Sequence, residues 1–251
     1  MIVNIKEVFD SVQIENDIAT MYIYGDISSE KYTDWYDDME HTEVYPKFVV
    51  DFLKAIEDKE LHIHINSPGG NAYAGVAIYN LLKERKGKTV THIDCIAASA
   101  ASLIALAGDE IVMSIGSVLM IHRPWIRAVG NSDELRKTAD DLDKLGDCIF
   151  EIYKNSLANS EDEKKVRELY NSEAWLSNAD CVELFKNIKI DAGSKACAAV
   201  RSDMLERYKL PANIKIAEAS IKVTEKNKKK NDNNLEKMKM EIAITEALLD
   251  N

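Results

Sequence analysis

The stretch that decides the fold is residues 61–108, LHIHINSPGGNAYAGVAIYNLLKERKGKTVTHIDCIAASAASLIALAG. Alternation of apolar and polar residues predicts strands, apolar residues at three- and four-residue steps predict helices, and Pro with paired Gly predicts a turn. The predicted elements are, in order, a strand at 61–65, a turn at 66–70 that breaks it, a helix at 74–83, a strand at 89–96 and a small-residue helix at 97–108. Strand, turn and helix repeated in this way predict an α/β core with parallel strands and crossover helices.

The flanking sequence extends this core and then changes character. Strands are predicted at 21–27, 110–113 and 118–122, and a helix at 45–58. From Asn131 onward, apolar residues between Leu135 and Ile152 recur at three- and four-residue steps, so one long amphipathic helix is predicted. Asn131 followed by Glu134 has the form of a capping box at its start. Such a helix either covers the core or projects and packs on a copy of itself, and its length fits both.

Composition limits the classes of function. Of 251 residues, 46% are hydrophobic and 30% are charged, as in ordinary soluble globular proteins. The formal net charge of −11 disfavours nucleic acid and anionic lipid surfaces as partners. We find neither an apolar run of membrane-spanning length nor a signal-peptide pattern, so we expect a cytoplasmic protein. The four cysteines are far apart, with no pair at zinc-ligand spacing, and predict no metal site.

The sequence divides into four predicted segments. Residues 1–20 form an N-terminal segment, 21–192 the main domain, 193–221 a C-terminal extension, and 222–251 a charged linker with a short amphipathic helix. The linker at 222–234 is nearly all Lys, Asn, Glu and Asp and cannot bury enough apolar surface to order itself. The short helix that follows has too few turns to be stable alone and needs a partner.

Three short elements carry residues of chemical interest. In NSPGG at 66–70 the glycines could point a backbone N–H into a cleft, although any strand-to-helix turn can use such a sequence. Ser99 is predicted at a helix N-terminus, where unpaired N–H groups stabilise a developing oxyanion, but where a serine also acts as an ordinary N-cap. His122 ends an apolar strand and is followed closely by Pro124. A lone histidine is more often structural than catalytic.

The order and spacing of these three elements resemble the ClpP peptidases, a family of serine peptidases (S14). The similarity covers about residues 20–192, and its nearest form is the branch of head maturation proteases encoded by phages and prophages. The matching runs are YIYGDI at 22–27, HINSPGG at 64–70, AGVAIYN at 74–80, AASAAS at 97–102 and MIHRP at 120–124.

The resemblance implies a fold, a site and a mechanism. The fold would be a ClpP/crotonase-like spiral of β-β-α units, with a projecting handle helix at about 131–159 that meets another ring. Ser99 would be the nucleophile and His122 its general base, with the N–H groups of Gly70 and Ala100 as the oxyanion hole. Family members place an Asp two residues before an aromatic-Leu-Ser sequence, and here Glu173 holds that position before Trp175. No metal or cofactor would be needed.

The same resemblance implies an ATP-independent serine endopeptidase that cleaves capsid or scaffold protein during prohead maturation in the host cytoplasm. It also implies a homo-oligomeric ring, or stacked rings. A bacterial housekeeping ClpP peptidase working with an unfoldase is the alternative. Two further alternatives share the fold: an acyl-CoA enzyme of the crotonase type, which has no need for a serine at 99, and a catalytically silent assembly protein.

Overall fold

The computed structural model describes residues 13–15, 17–30, 44–193 and 208. The predicted charged linker and terminal helix at 222–251 lie outside these residues, as do most of the N-terminal segment and of the C-terminal extension. The strands are β1 (Gln13–Glu15), β2 (Ile18–Ile27), β3 (Glu60–Gly70), β4 (Thr89–Ala98), β5 (Glu110–Ser114), β6 (Val118–Ile121), β7 (Ala174–Leu176) and β8 (Ile188–Asp191). The helices are α1 (Pro46–Ile56), α2 (Ala72–Lys83), α3 (Ala100–Ala105), α4 (Ser132–Asn155), α5 (Glu163–Ser172) and α6 (Asn178–Leu184).

The strands of the described residues form one sheet, in the order β1-β2-β3-β4-β5-β8. Pairing is parallel from β2 through β8, and only β1 runs antiparallel along this path. The sheet branches at β4, which pairs with β5 through its first half and with β6 through its last residues. The short strand β7 then pairs antiparallel with β6. The predicted α/β core with parallel strands and crossover helices is confirmed.

The main core lies on one face of this sheet, under the helices. Its strand residues include Ile63, Ile65 and Ile93, and α3 contributes an almost fully buried set of small and apolar side chains. Helices α2 and α3 pack on each other closely enough that a Cβ on Gly75 would lie 2.8 Å from the Cβ of Ala100. The small side chains of this region therefore serve close helix packing. In the described parts of the chain, no helix is long and apolar enough to cross a membrane.

Helix α4 begins with the predicted capping box. The side chain of Asn131 accepts hydrogen bonds from the N–H groups of Asp133 and Glu134, and the Glu134 carboxylate accepts one from the N–H of Asn131 at 2.8 Å. Every buried residue of this helix lies at Gly146 or beyond. The first half of α4 thus extends away from the core formed by the described residues, which favours the projecting helix over the core-covering one.

Three features of the structure differ from the sequence prediction. NSPGG does not break the strand, because β3 continues through Gly70 and absorbs the turn as a register shift between Ile65 and Ser67. The predicted helix at 97–108 is shorter, Ala100–Ala105, since Ala97 and Ala98 still pair with β6. Helix α5 was not predicted, because it contributes few buried residues and half of its residues are charged.

Three histidines stack on the face of the sheet opposite the main core. The ring of His92 lies between those of His64 and His62, with ring centroids 4.5 Å and 5.0 Å away. One nitrogen of His92 is 2.9 Å from a nitrogen of His62, so one ring donates a hydrogen bond and the other accepts it. Burial, together with the two neighbouring imidazoles, lowers the pKa of His92 to about 4.

This depressed pKa predicts a loss of stability in acid. The folded state takes up the His92 proton only near pH 4, whereas the unfolded chain takes it up near the ordinary value of 6.5. The stabilisation is therefore complete above pH 6.5 and is lost as the pH falls from 6.5 towards 4. Urea unfolding should show a smaller decline over this window for His92→Gln than for wild type. Parallel declines in the two proteins would contradict the prediction.

Candidate active site

Ser99 occupies a strained backbone position between β4 and α3. Its φ is +53°, a value that residues with side chains rarely adopt, and its side chain makes no capping hydrogen bond to the helix. Its N–H instead donates to the carbonyl of Met120 at 3.0 Å, which ties the serine to β6. The interpretation of Ser99 as an ordinary N-cap is therefore wrong, because its hydroxyl is directed elsewhere.

That hydroxyl is directed to His122, which directly follows β6. The Oγ of Ser99 and the Nε2 of His122 are 2.8 Å apart. The parallel pairing of β4 with β6, in register at Ala98 and Met120, brings together these two residues 23 positions apart. Burial lowers the pKa of His122, and the negative charge of Glu173 raises it in part. The imidazole is thus kept neutral at physiological pH and can accept a proton.

The turn at the end of β3 packs directly against the serine. Gly69 has a φ of +95°, and a Cβ there would lie 2.5 Å from the carbonyl oxygen of Ala98 and 2.8 Å from the Cβ of Ser99. Only glycine allows this approach. The N–H of Gly69 donates to the hydroxyl of Ser67 at 3.1 Å and is thus engaged within the turn.

The two predicted oxyanion residues, Gly70 and Ala100, are both found near the serine. Gly70 lines the same cleft as Ser99 and His122. Ala100 is the first residue of α3, and N–H groups in the first turn of a helix have no partner within that helix. The structure therefore brings Gly70 and Ala100 to Ser99, and their role as oxyanion donors stays a prediction.

Glu173 is placed opposite His122 by the sheet. Strands β6 and β7 are antiparallel and pair Ile121 with Ala174, so the next positions along the two chains are His122 and Glu173. Both residues line one cleft beside the site. Glu173 has a φ of +57° at the end of α5, which turns the chain sharply into β7. The structure therefore brings this third predicted residue to the imidazole.

Two buried hydroxyl groups are hydrogen-bonded in series to the backbone of Ser99. The hydroxyl of Ser102 donates to the carbonyl of Ser99 at 2.6 Å and lies 2.7 Å from the hydroxyl of Tyr153 on α4. Since Ser102 donates to Ser99, Tyr153 is the donor to Ser102. Ser102 is fully buried and cannot meet a substrate, which separates it from Ser99 one turn earlier.

The cleft over Ser99 and His122 has a volume of about 570 Å³. Much of its wall is apolar, formed by Trp125 and Ile126 from the loop after His122 and by Leu142 and Leu145 from α4. Tyr208 also lines it and reaches the site from the C-terminal extension. No periodic pattern or motif surrounds Tyr208, so sequence reasoning missed it. Among the residues that the structure describes, no group of His, Cys, Asp or Glu could hold a metal ion.

The sequence and fold of this chain match those of known proteins. The family model described as Clp protease matches residues 19–184, which include every predicted site residue. The chain belongs to the Clp protease family. Its predicted α/β fold of the ClpP type is confirmed by a structural match to a point mutant of ClpP1 from Listeria monocytogenes, with a TM-score of 0.53 at 21% identity. The match covers 76% of this chain and 97% of the other.

Three curated relatives of this Clp family member come from bacteria. An ATP-dependent Clp protease proteolytic subunit from Bacteroides fragilis is 32% identical over half of this chain and 60% of its own length. A proteolytic subunit 2 from Treponema denticola is 33% identical over half of this chain and 62% of its own length. A proteolytic subunit from Ligilactobacillus salivarius is 36% identical over 40% of this chain and 53% of its own length. The chain thus spans little more than half the length of these relatives.

Proposed function

We propose that this chain is a serine endopeptidase in which Ser99 is the nucleophile and His122 the general base. The 2.8 Å contact between the Oγ of Ser99 and the Nε2 of His122 carries this proposal. Two further observations support it. Ser99 is accessible from the cleft and has a strained backbone conformation, and burial keeps the His122 imidazole neutral. The family to which the chain belongs supports the same chemistry.

The reaction is an acyl transfer through a covalent intermediate. As the Ser99 oxygen attacks the peptide carbonyl, its proton passes to Nε2 of His122, which then gives the proton to the leaving amine. Water, deprotonated by the same imidazole, later attacks the acyl carbonyl, and His122 returns that proton to the Ser99 oxygen as the acyl group leaves. The oxyanion formed at the carbonyl is stabilised by the N–H groups of Gly70 and Ala100. Glu173 orients His122 and stabilises its positive charge during attack. These steps need no metal or cofactor.

The cleft indicates which side chains the enzyme prefers. Trp125, Ile126 and Leu142 present apolar surface beside the Ser99 hydroxyl. Burial of an apolar side chain there stabilises the complex in proportion to the area removed from water. We therefore propose that peptides with an apolar residue next to the scissile bond are cleaved fastest.

Two substrate classes fit this chemistry. The names of the curated relatives, ATP-dependent Clp protease proteolytic subunits, favour a peptidase that degrades polypeptides delivered by an unfoldase. The second candidate is a phage or prophage head maturation protease that cleaves capsid or scaffold protein in the cytoplasm. Its support is the resemblance of the runs at 22–27, 64–70, 74–80 and 97–102 to that branch of the family.

One digestion experiment separates these candidates. Wild-type protein and Ser99→Ala are incubated with an unfolded model protein, with the same protein folded, and with candidate capsid and scaffold proteins, and the products are identified by mass spectrometry. Cleavage of unfolded protein alone supports the unfoldase-dependent peptidase. Discrete cuts in folded capsid or scaffold protein support the maturation protease. If Ser99→Ala gives the same products as wild type, or if neither cleaves anything, the endopeptidase proposal fails.

We also propose that the chain forms a homo-oligomeric ring that stacks through α4. The first half of that helix extends beyond the core with Leu135 42% exposed on it. A second copy of the same helix is a partner that would cover this apolar surface.

Leu135→Lys is expected to disrupt the stacked form. The substitution places a charge where two helices would meet, and burying an unpaired charge is costly. Sedimentation velocity should show a shift to a smaller species. Val182→Lys on α6 changes an equally exposed valine, at 46%, and is the matched control. Wild-type protein that sediments as a monomer at micromolar concentration would contradict the assembly proposal.

A further inference from the structure

The residue that carries a further inference is Tyr208, which reaches the site from the C-terminal extension. Only 7% of its surface is exposed. It belongs to a small second core with Ile96, Ala98 and Met120, on the opposite side of the sheet from the main core. Ala98 directly precedes Ser99, and Met120 accepts the hydrogen bond of the Ser99 N–H. Tyr208 therefore packs on the backbone that holds the nucleophile.

The hydroxyl of Tyr208 contacts the turn that carries the predicted oxyanion donor. It donates a hydrogen bond to the carbonyl of Pro68 at 2.8 Å, across 140 residues of sequence. Pro68 precedes Gly69 and Gly70, whose φ values of +95° and +148° give this turn conformations that other residues avoid. Two consecutive glycines have a wider range of backbone conformations than other residues, so the hydrogen bond at the Pro68 carbonyl adds to the sheet pairing in restricting where the N–H of Gly70 points.

The ring of Tyr208 contacts the predicted general base. Its centroid lies 5.5 Å from that of His122 in an edge-to-face arrangement, and 6.1 Å from that of Trp175. Tyr208 also lines two clefts that His122 lines. Its ring therefore occupies space that water would otherwise fill beside the imidazole.

We propose that Tyr208 is a positioning residue of the active site, which fixes the oxyanion turn through its hydroxyl and shields His122 from water with its ring. This inference rests on the proposed function, because it assigns Tyr208 a part in the same reaction. The C-terminal extension thereby contributes to catalysis from outside the matched family region, which ends at residue 184. Burial is the main cause that lowers the pKa of His122, so the ring acts on the protonation of the base.

A purely structural Tyr208 would behave like any other buried tyrosine, and Tyr170 is the matched control. The Tyr170 hydroxyl is also buried and donates to a backbone carbonyl, that of Gly146, at 3.0 Å. Tyr208→Phe and Tyr170→Phe each remove one such hydrogen bond. We expect similar melting temperatures for the two variants. Only Tyr208→Phe should react more slowly with a fluorophosphonate probe, by about tenfold, the rate equivalent of one ordinary hydrogen bond.

The ring is tested on the full chain by side-chain NMR of ¹³C-labelled histidine, with His122 assigned from His122→Gln. Loss of the ring in Tyr208→Ala should raise the pKa of His122 towards its ordinary value, whereas Tyr208→Phe should leave it unchanged. Tyr208→Leu replaces the alanine variant if that variant does not fold. The proposal is overturned if His122 titrates identically after loss of the ring, or if Tyr208→Phe reacts with the probe as fast as Tyr170→Phe. An unreactive Ser99 in wild type would refute the proposed function, and the titration would still decide the role of Tyr208.

Discussion

Ser99→Ala and His122→Ala are each expected to lower kcat for peptide hydrolysis by about a million-fold, and the double variant is expected to lose no more than either one. The two side chains act as a unit, since a serine hydroxyl without a base is a poor nucleophile and an imidazole without the serine has nothing to activate. The short contact between them in the structure is the basis for this expectation. The measurement is kcat for a fluorogenic peptide with an apolar residue before the scissile bond.

Ser102→Ala is the control for the identity of the nucleophile. Ser102 follows the same Ala-Ala sequence as Ser99 but is fully buried and hydrogen-bonded to the Ser99 carbonyl. Ser102→Ala removes the hydrogen bond to the Ser99 carbonyl, but peptide hydrolysis should still occur. If the losses of kcat in Ser99→Ala and His122→Ala instead multiplied in the double variant, the two residues would act independently, which would contradict a shared catalytic unit.

Glu173→Gln is expected to give the second largest loss, at most about ten-thousand-fold in the acylation rate. The amide keeps the shape of the side chain and removes the charge that stabilises the imidazolium formed during attack. The register of β6 and β7 places Glu173 opposite His122, and its charge raises the pKa of that imidazole. Removing the charge should therefore also move the acid limb of the pH–rate profile to lower pH. The measurement is the rate of probe labelling between pH 5 and 8.

Asp180→Asn and Asp191→Asn are the matched controls for this prediction. Asp180 caps α6 through the N–H and hydroxyl of Ser177. Asp191 ends β8, where it pairs with Ser114. If Glu173→Gln is labelled at the normal rate while one of the two control variants is not labelled, the third residue has been misassigned. Normal labelling of all three would indicate a Ser-His dyad.

The structure brings together the residues that the sequence analysis proposed for the site, whereas it differs from the predicted backbone around them. Ser99 and His122 were predicted from the resemblance of their order and spacing to the ClpP peptidases, because each local pattern alone also fits a structural role. Their contact, by contrast, depends on the pairing of β4 with β6, which no local pattern specifies. The continuation of β3 through Gly70 could not be predicted either. Proline and glycine usually end strands, and here tertiary packing against Ser99 holds them in the sheet.

Helix α5 and Tyr208 are two features that sequence patterns do not predict. Helix α5 buries only Val166 and Tyr170, so its apolar stripe is too sparse to reveal a helix by periodicity. Tyr208 contributes through contacts to Pro68 and His122 that lie 140 and 86 residues away in sequence. Such contacts exist only after folding.

The central claim is tested most directly by locating the covalent adduct of a fluorophosphonate probe on the folded wild-type protein by tandem mass spectrometry. We expect a single adduct on Ser99, its absence in Ser99→Ala, and its strong suppression in His122→Ala. Loss of labelling on prior unfolding would show that the folded site is required. An adduct on Ser102 or on any other residue, or wild-type protein that remains unlabelled while folded, would contradict the assignment of Ser99 as the nucleophile.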